Sequence, residues 1–245
     1  MSEEISLAKS VEQFYDADLG PDEFAFIYAG YAGVLLRTKD TTVALDPADL
    51  FSKVKEHIQF LDLITYSHSH NDHFNLSNAV ALYKKTDATI ISEYNMMEEL
   101  RKRIPEEKVI SGPEVFQGVS DGPKHKVNGI KTVLHRGVHP RPIIQFRLSI
   151  DKLKVFHAAD SGYWPVGKDK LDVAFLPTGA PSPTCHPAVA LAMAMDIRPT
   201  FAVAIHGVEQ QRQKFRELVT HELPDTTVVI PKVNELTVLS RSSSQ

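Results

Sequence analysis

Cysteine is nearly absent from this 245-residue chain, in which Cys185 stands alone. No intrachain disulfide can form, and no thiolate framework for zinc can be assembled. The expected role of Cys185 is that of a buried, inert thiol. Long apolar runs are missing too. No stretch approaches the roughly eighteen residues that a membrane-spanning helix needs. The first ten residues lack the basic start and apolar core of a secretory leader. No membrane partner is therefore expected, and cytoplasmic residence is the default. Neither sign of charge dominates: 27 Lys and Arg face 31 Asp and Glu, for a net charge of −4. That balance gives no general attraction to nucleic acid or anionic lipid. Short repeats, low-complexity blocks and linkers rich in Gly, Ser or Pro are absent as well. What is present is the composition of a folded domain, 42% hydrophobic and 24% charged, which excludes global disorder.

The hydrophobic pattern alternates between two periods. Leu7, Val11, Phe14 and Tyr15 recur at helical spacing, and the helix should stop before Gly20-Pro21. Residues 24–37 read as a strand and 42–45 as its hairpin partner across Lys39-Asp40, ending at Asp46-Pro47. A strand over 61–66 is followed, after a polar cluster, by a helix carrying Leu76, Ala79, Val80 and Tyr83. Residues 89–92 read as a strand and 95–103 as a helix stopped by Pro105, while 105–126 is turn-rich and gives no pattern. The rhythm then repeats. Strands are expected over 130–135, 143–150, 154–157, 173–177, 201–205 and 226–230, with helices over 187–197 and 209–222. Two comparable halves fit a layered α/β fold with internal pseudo-symmetry better than two separate domains. The expected organisation is a helical extension (1–23), one domain (24–240) and a disordered tail (241–245).

The informative segment is Ser67-His68-Ser69-His70-Asn71-Asp72-His73, directly after an apolar strand. In extended backbone His68 and His70 point the same way and can reach one ion. Asp72 and His73, on the following turn, face elsewhere and can hold a second. Imidazole and carboxylate suit zinc, manganese or iron. Without Cys, an open catalytic site is favoured over a closed structural one. The alternatives are a His-rich surface loop and an adventitious or structural metal site.

His68, His70, Asp72 and His73 match the H-x-H-x-D-H signature, and the chain resembles the metallo-β-lactamase superfamily over about residues 24–206. The resemblance implies a four-layer αβ/βα sandwich with two divalent ions at one edge. It also implies three further ligands. One follows the first strand of the second half, where His139 is preferred over His135 because it lies beyond the strand. The second is Asp160 in His157-Ala-Ala-Asp160-Ser-Gly162, expected to bridge the ions. Ala159 stands where the family has Gly, which implies an ordinary backbone conformation there. The third is His206, delivered by an apolar strand and followed by Gly207. His68, His70 and His139 would hold one ion, and Asp72, His73 and His206 the other. A bridging hydroxide would attack an ester, lactone, amide or phosphoryl centre, with Asp72 orienting it or accepting its proton. Asp46, in Val43-Ala-Leu-Asp46-Pro47, would orient a ligand histidine from behind; the competing reading is a simple strand-ending turn.

Within the superfamily, Asp160 stands where the commonest zinc β-lactamases carry Cys, which argues against antibiotic hydrolysis. His70 departs from the H-x-E-x-D-H of flavodiiron proteins, and the length leaves no room for the extra domain of the long nucleases. The segments 171–179, 187–192 and 197–199 are similar to the compact branch with ascorbate-6-phosphate lactonase-like hydrolases. Tyr31 after Gly30 departs from that branch's Gly-His. The expected activity is hydrolysis of a small ester, lactone or phosphodiester, with zinc favoured over manganese or iron. A nucleic-acid phosphodiesterase, an iron-dependent redox enzyme and a binding protein on the same fold are the alternatives. A small-molecule substrate is expected, nucleic acid is not, and a homo-oligomer is compatible.

Overall fold

Alternation of large and small apolar residues along the strands sorts the core into three compartments. The structure, a computed structural model, describes residues 2–117 and 122–241, with backbone alone for 2–6. Helix α1 (Ser2–Asp16) leads into β1 (Glu23–Gly30), β2 (Gly33–Arg37), β3 (Thr42–Leu45) and β4 (Leu63–Tyr66). Helix α2 (Leu76–Thr86), β5 (Thr89–Ser92), the short α3 (Met97–Arg101) and β6 (Val109–Ser111) complete the first half. The second half runs β7 (Lys124–Val127), β8 (Ile130–Arg136), β9 (Ile144–Ile150), β10 (Leu153–His157) and β11 (Val173–Pro177). It continues through α4 (Pro187–Ile197), β12 (Phe201–Ile205), α5 (Glu209–Glu222) and β13 (Thr227–Val229). The last strand, β14 (Leu236–Ser240), returns to the first sheet and pairs antiparallel with β1. Two seven-stranded sheets result, ordered β14-β1-β2-β3-β4-β5-β6 and β13-β12-β11-β10-β9-β8-β7.

Period two explains the layering. Phe24, Phe26 and Tyr28 of β1 point between the sheets and meet Phe146, Phe175, Phe201 and Val203. Ala25 and Ile27 point outward under Leu7, Val11 and Phe14 of α1 and Leu82 of α2. On the other side Ala174, Leu176, Ala202 and Ala204 pack beneath Ala190, Met193 and Ile197 of α4 and Phe215 of α5. Central strands buried on both faces therefore read as continuous apolar runs. The result is the expected αβ/βα sandwich. No helix among the described residues is long and apolar enough to cross a membrane.

Four expectations need correction. The strand read over 24–37 is a hairpin, broken where Gly30 (φ 112°) and Tyr31 (φ 49°) turn left-handed. The helix read over 95–103 is a 3-10 turn, Tyr94–Met96, followed by α3. The patternless 105–126 contains β6 and β7, edge strands too short and too polar for alternation to show. Arg241, expected in the tail, is held by Asp22 and by the Lys152 carbonyl; residues 242–245 lie outside the described ones. Helix α1 is tied to the domain as well. Arg37 donates to the Tyr15 carbonyl at 3.2 Å and to that of Ala17, and its guanidinium lies 5.7 Å from the Phe14 ring centre.

Candidate metal centre

The strand ends of both halves meet at one edge of the sandwich. Parallel β3 and β4 deliver Asp46 and the 67–73 segment. Antiparallel β8 and β9 hold the loop with His139, β10 leads to Asp160, and β12 ends at His206. Hydrogen bonds stitch these loops together: the Ile144 amide donates to the Ser67 carbonyl at 3.1 Å, and the Gly162 amide to Val138 at 2.7 Å.

Seven of the sequence-selected side chains converge, in two groups. His68, His70, His139 and Asp160 offer ligand atoms within 4.8 Å of one another, as do Asp72, His73 and His206. Asp160 lies between the groups. Its oxygens stand 3.7 Å from His68 Nε2, 3.4 Å from His139 Nε2 and 3.8 Å from His73 Nε2. His73 and His206 stack at 5.4 Å, and His68 and His73 ring centres are 4.1 Å apart. His135 is not among them. Its ring lies within β8, 6.2 Å from that of Phe156. His157 is also separate, buried with Nε2 donating to the Ala32 carbonyl at 2.9 Å.

Asp46 is fully buried behind this cluster and organises it. Its carboxylate accepts from the Ser67 amide at 2.7 Å, from the Ser67 hydroxyl and from His73 Nδ1 at 2.8 Å. With its proton committed to Asp46, Ser67 Oγ accepts from His68 Nδ1 at 3.0 Å. Both histidines are thereby set with Nδ1 protonated and the Nε2 lone pair facing the cluster. Burial would raise the Asp46 pKa, but the bond and charge of His73 hold it below the ordinary range. Burial would lower His73, but Asp46 holds it above.

The remaining electrostatics favour neutral imidazoles around an anion. Burial, then the His73 charge, pushes His68 and His206 down to about 3. Burial, His139 and Arg141 lower His70. Asp160 is held well below the usual carboxylate range: burial opposes this, but His139, with Nε2 3.4 Å away, and the His73 and His68 charges outweigh it. His73 Nε2, His139 Nε2, both His206 nitrogens and Asp160 Oδ1 are buried without a hydrogen-bond partner. Such atoms cost free energy unless something satisfies them, and one carboxylate amid clustered imidazoles is a donor set for divalent cations.

Three supporting features escaped the sequence. Ala159 is left-handed (φ 54°) despite its Cβ, so the expected ordinary conformation is incorrect; the turn into Asp160 demands it. Ser182 and Thr184 hydroxyls clamp the Asp160 carbonyl at 2.8 and 3.1 Å. His206 is left-handed as well (φ 48°), its amide held by the Tyr31 carbonyl at 3.1 Å and its carbonyl by Thr178 and Arg212. Only the Asp-Pro and strand-end positions carried a signal; these clamps come from residues remote in sequence.

Comparison with known proteins gives a consistent picture. The family model described as a beta-lactamase superfamily domain matches residues 26–206. A UPF0173 metal-dependent hydrolase of Caldivirga maquilingensis is 27% identical over 191 residues, covering 72% of this chain and 79% of that protein. A UPF0173 relative in Korarchaeum cryptofilum is 30% identical over 126 residues, 48% of this chain, and the match spans only 52% of its length. Among solved structures, Igni18, a metallo hydrolase of Ignicoccus hospitalis, shares the fold with a TM-score of 0.66 at 17% identity, covering 89% of this chain and 99% of its own.

Proposed function

The chain belongs to the metallo-β-lactamase superfamily, and from that premise we propose that it is a dinuclear metal-dependent hydrolase of a small ester, lactone or phosphodiester. The observation that carries this is the pair of ligand groups meeting at Asp160. His68, His70 and His139 would hold one ion and Asp72, His73 and His206 the other, with the Asp160 carboxylate available between the two groups. Zinc is the favoured occupant for this nitrogen-rich set, with manganese or iron as alternatives. Divalent ions bound there would lower the pKa of water toward neutrality and polarise a substrate oxygen.

The chain's own residues supply the rest. Asp46 and Ser67 keep the Nε2 lone pairs of His73 and His68 free and aimed. Asp72, the more exposed of the two carboxylates in the cluster, stands with one oxygen 3.6 Å from His73 Nε2. It orients the attacking water and takes its proton at that carboxylate. The buried walls exclude bulk water and strengthen these interactions.

The test is metal analysis of the purified protein joined to assays on a panel of esters, lactones and phosphodiesters. Asp160→Ala and His70→Ala should each lower metal content and abolish turnover. Normal turnover in either variant, or a wild-type protein inert after zinc and manganese addition, would sink the reading.

A further inference from the structure

A groove of about 390 Å³ opens at His139, lined by Glu93, Phe116, Arg136, Arg141 and Ile144 among others. Two guanidinium groups share it, and neither makes an ion pair among the described residues. Arg147 and Arg241, by contrast, pair with Asp169 and Asp22. Arg141 is placed by the cluster itself. Its amide nitrogen lies 3.2 Å from His139 Nδ1, and Nη1 donates to Ser69 Oγ at 3.4 Å, between His68 and His70 in the chain. One of its five N–H donors is thus engaged by the protein. The Arg136 guanidinium lies over the Trp164 ring, 4.4 Å from its centre, a contact that engages none of its N–H donors in a hydrogen bond to a described residue.

The acidic groups of the groove do not neutralise this pair. Both Glu93 oxygens accept from Asn95, its amide at 3.0 Å and its Nδ2 at 2.9 Å. Glu114 is exposed beyond β6 and makes no ion pair among the described residues. A planar, permanently charged fork with free donors beside a reaction centre matches a carboxylate or phosphate.

We propose that Arg141, assisted by Arg136, is the specificity-determining residue of this site and holds an oxyanionic substituent of the substrate. This rests on the hydrolase reading and narrows it: the molecule cleaved carries a phosphate or carboxylate near the scissile bond, and a neutral ester is a poor substrate.

The test uses the chain's single tryptophan, Trp164, whose fluorescence reports on the stacked Arg136. Inorganic phosphate and acetate are titrated at constant ionic strength into protein with and without zinc, with calorimetry in parallel. A saturable response is expected, and the tighter of the two anions identifies the group. Arg141→Gln should weaken binding about tenfold or more, as for a lost hydrogen bond to a charged group. Arg136→Gln should weaken it less, and Arg141→Lys should retain part of it. Because Arg141 is exposed, the variant keeps its fold, which a melting curve verifies. With substrates, Arg141→Gln should raise KM for an anionic ester and spare its uncharged analogue. Absence of saturable binding to wild type, equal affinity in Arg141→Gln, or equal loss on both substrates overturns the proposal. Failure of wild type to bind metal would instead overturn the hydrolase reading, while anion binding to the zinc-free protein still reports on the groove.

Discussion

Replacing Asp46 by Asn keeps the shape of the side chain and removes its charge, which isolates what that carboxylate does. In the wild type three donors converge on it: the Ser67 amide, the Ser67 hydroxyl and His73 Nδ1. An amide has one acceptor oxygen, and when that oxygen is turned to the fixed Ser67 amide the acceptor at Oδ2, shared by the Ser67 hydroxyl and His73, is lost. Its NH2 then meets His73 Nδ1–H, two donors face to face in a site with no solvent. The conflict is relieved when His73 moves its proton to Nε2, and that proton occupies the lone pair a metal needs. Loss of such a supporting partner typically lowers metal affinity about 10–100-fold, or about 1.4–2.8 kcal/mol at roughly 1.4 kcal/mol per decade. The metal-free protein also loses a charge-assisted hydrogen bond, worth roughly 1.5–3 kcal/mol. At about 2–4 °C per kcal/mol for a domain of this size, Tm should fall by roughly 3–12 °C. The affinity is read by competition with a chromogenic chelator, resolving two binding steps, and Tm by calorimetry on chelator-treated protein. Ser67→Ala is the control. It removes the support of His68 but leaves the direct Asp46–His73 bond, so the ion held through His68 should weaken more than its neighbour. Unchanged affinity for both ions and an unchanged Tm in Asp46→Asn would refute the tautomer argument.

Three further predictions concern the scaffold around the site. A Cβ at Gly207, where φ is 85°, would stand 2.4 Å from Thr178 Oγ1. Gly207→Ala should therefore cost about 2 kcal/mol or more and disturb His206, whereas Ala159→Gly, which relieves a left-handed alanine, should leave Tm within about 1 kcal/mol equivalent of wild type. Phe14→Ala, at a fully buried position of α1, should cost about 3–5 kcal/mol in denaturant unfolding, and a loss below about 1 would show that α1 does not belong to the core. In chelator-treated protein, His68 and His206 titrate near 3 when folded and near 6.5 when unfolded. Below about 6.5 the unfolded chain takes up protons these two folded residues refuse, so stability should fall as pH drops from 6.5 toward 3. His73 acts in the opposite sense: its raised pKa contributes stability that is full below 6.5 and lost as pH rises through its folded value. Below 6.5 the His73 contribution is constant and leaves the slope to His68 and His206, and a Tm that holds level between about pH 7 and 5 would contradict this.

What could be read in advance followed from neighbours in the chain. His68, His70, Asp72 and His73 lie within six residues, so strand periodicity alone told which could share an ion. The apolar runs over 173–177 and 201–205 matched β11 and β12 residue for residue, because strands buried on both faces leave an uninterrupted signal. The break at Gly30–Tyr31 left no such trace. Its residues are as apolar as the strands around them, and the turn is held by His206, some 175 positions away. Strands β6, β7 and β14 were illegible for a related reason. They are edge strands, formed because a neighbour offers hydrogen bonds and not because their own pattern demands a sheet.

The layered α/β class, the histidine cluster and, through family resemblance, the choice of His139, Asp160 and His206 follow from the order of residues along the chain. Those are properties of local periodicity and of residue chemistry at strand ends. That Asp46 and Ser67 set two tautomers at once, that Ala159 turns left-handed, and that Arg141 faces a groove without an ion pair among the described residues follow from the folded arrangement. Each depends on which distant groups are within 3–4 Å, and distance across a fold is not written in any short stretch of chain.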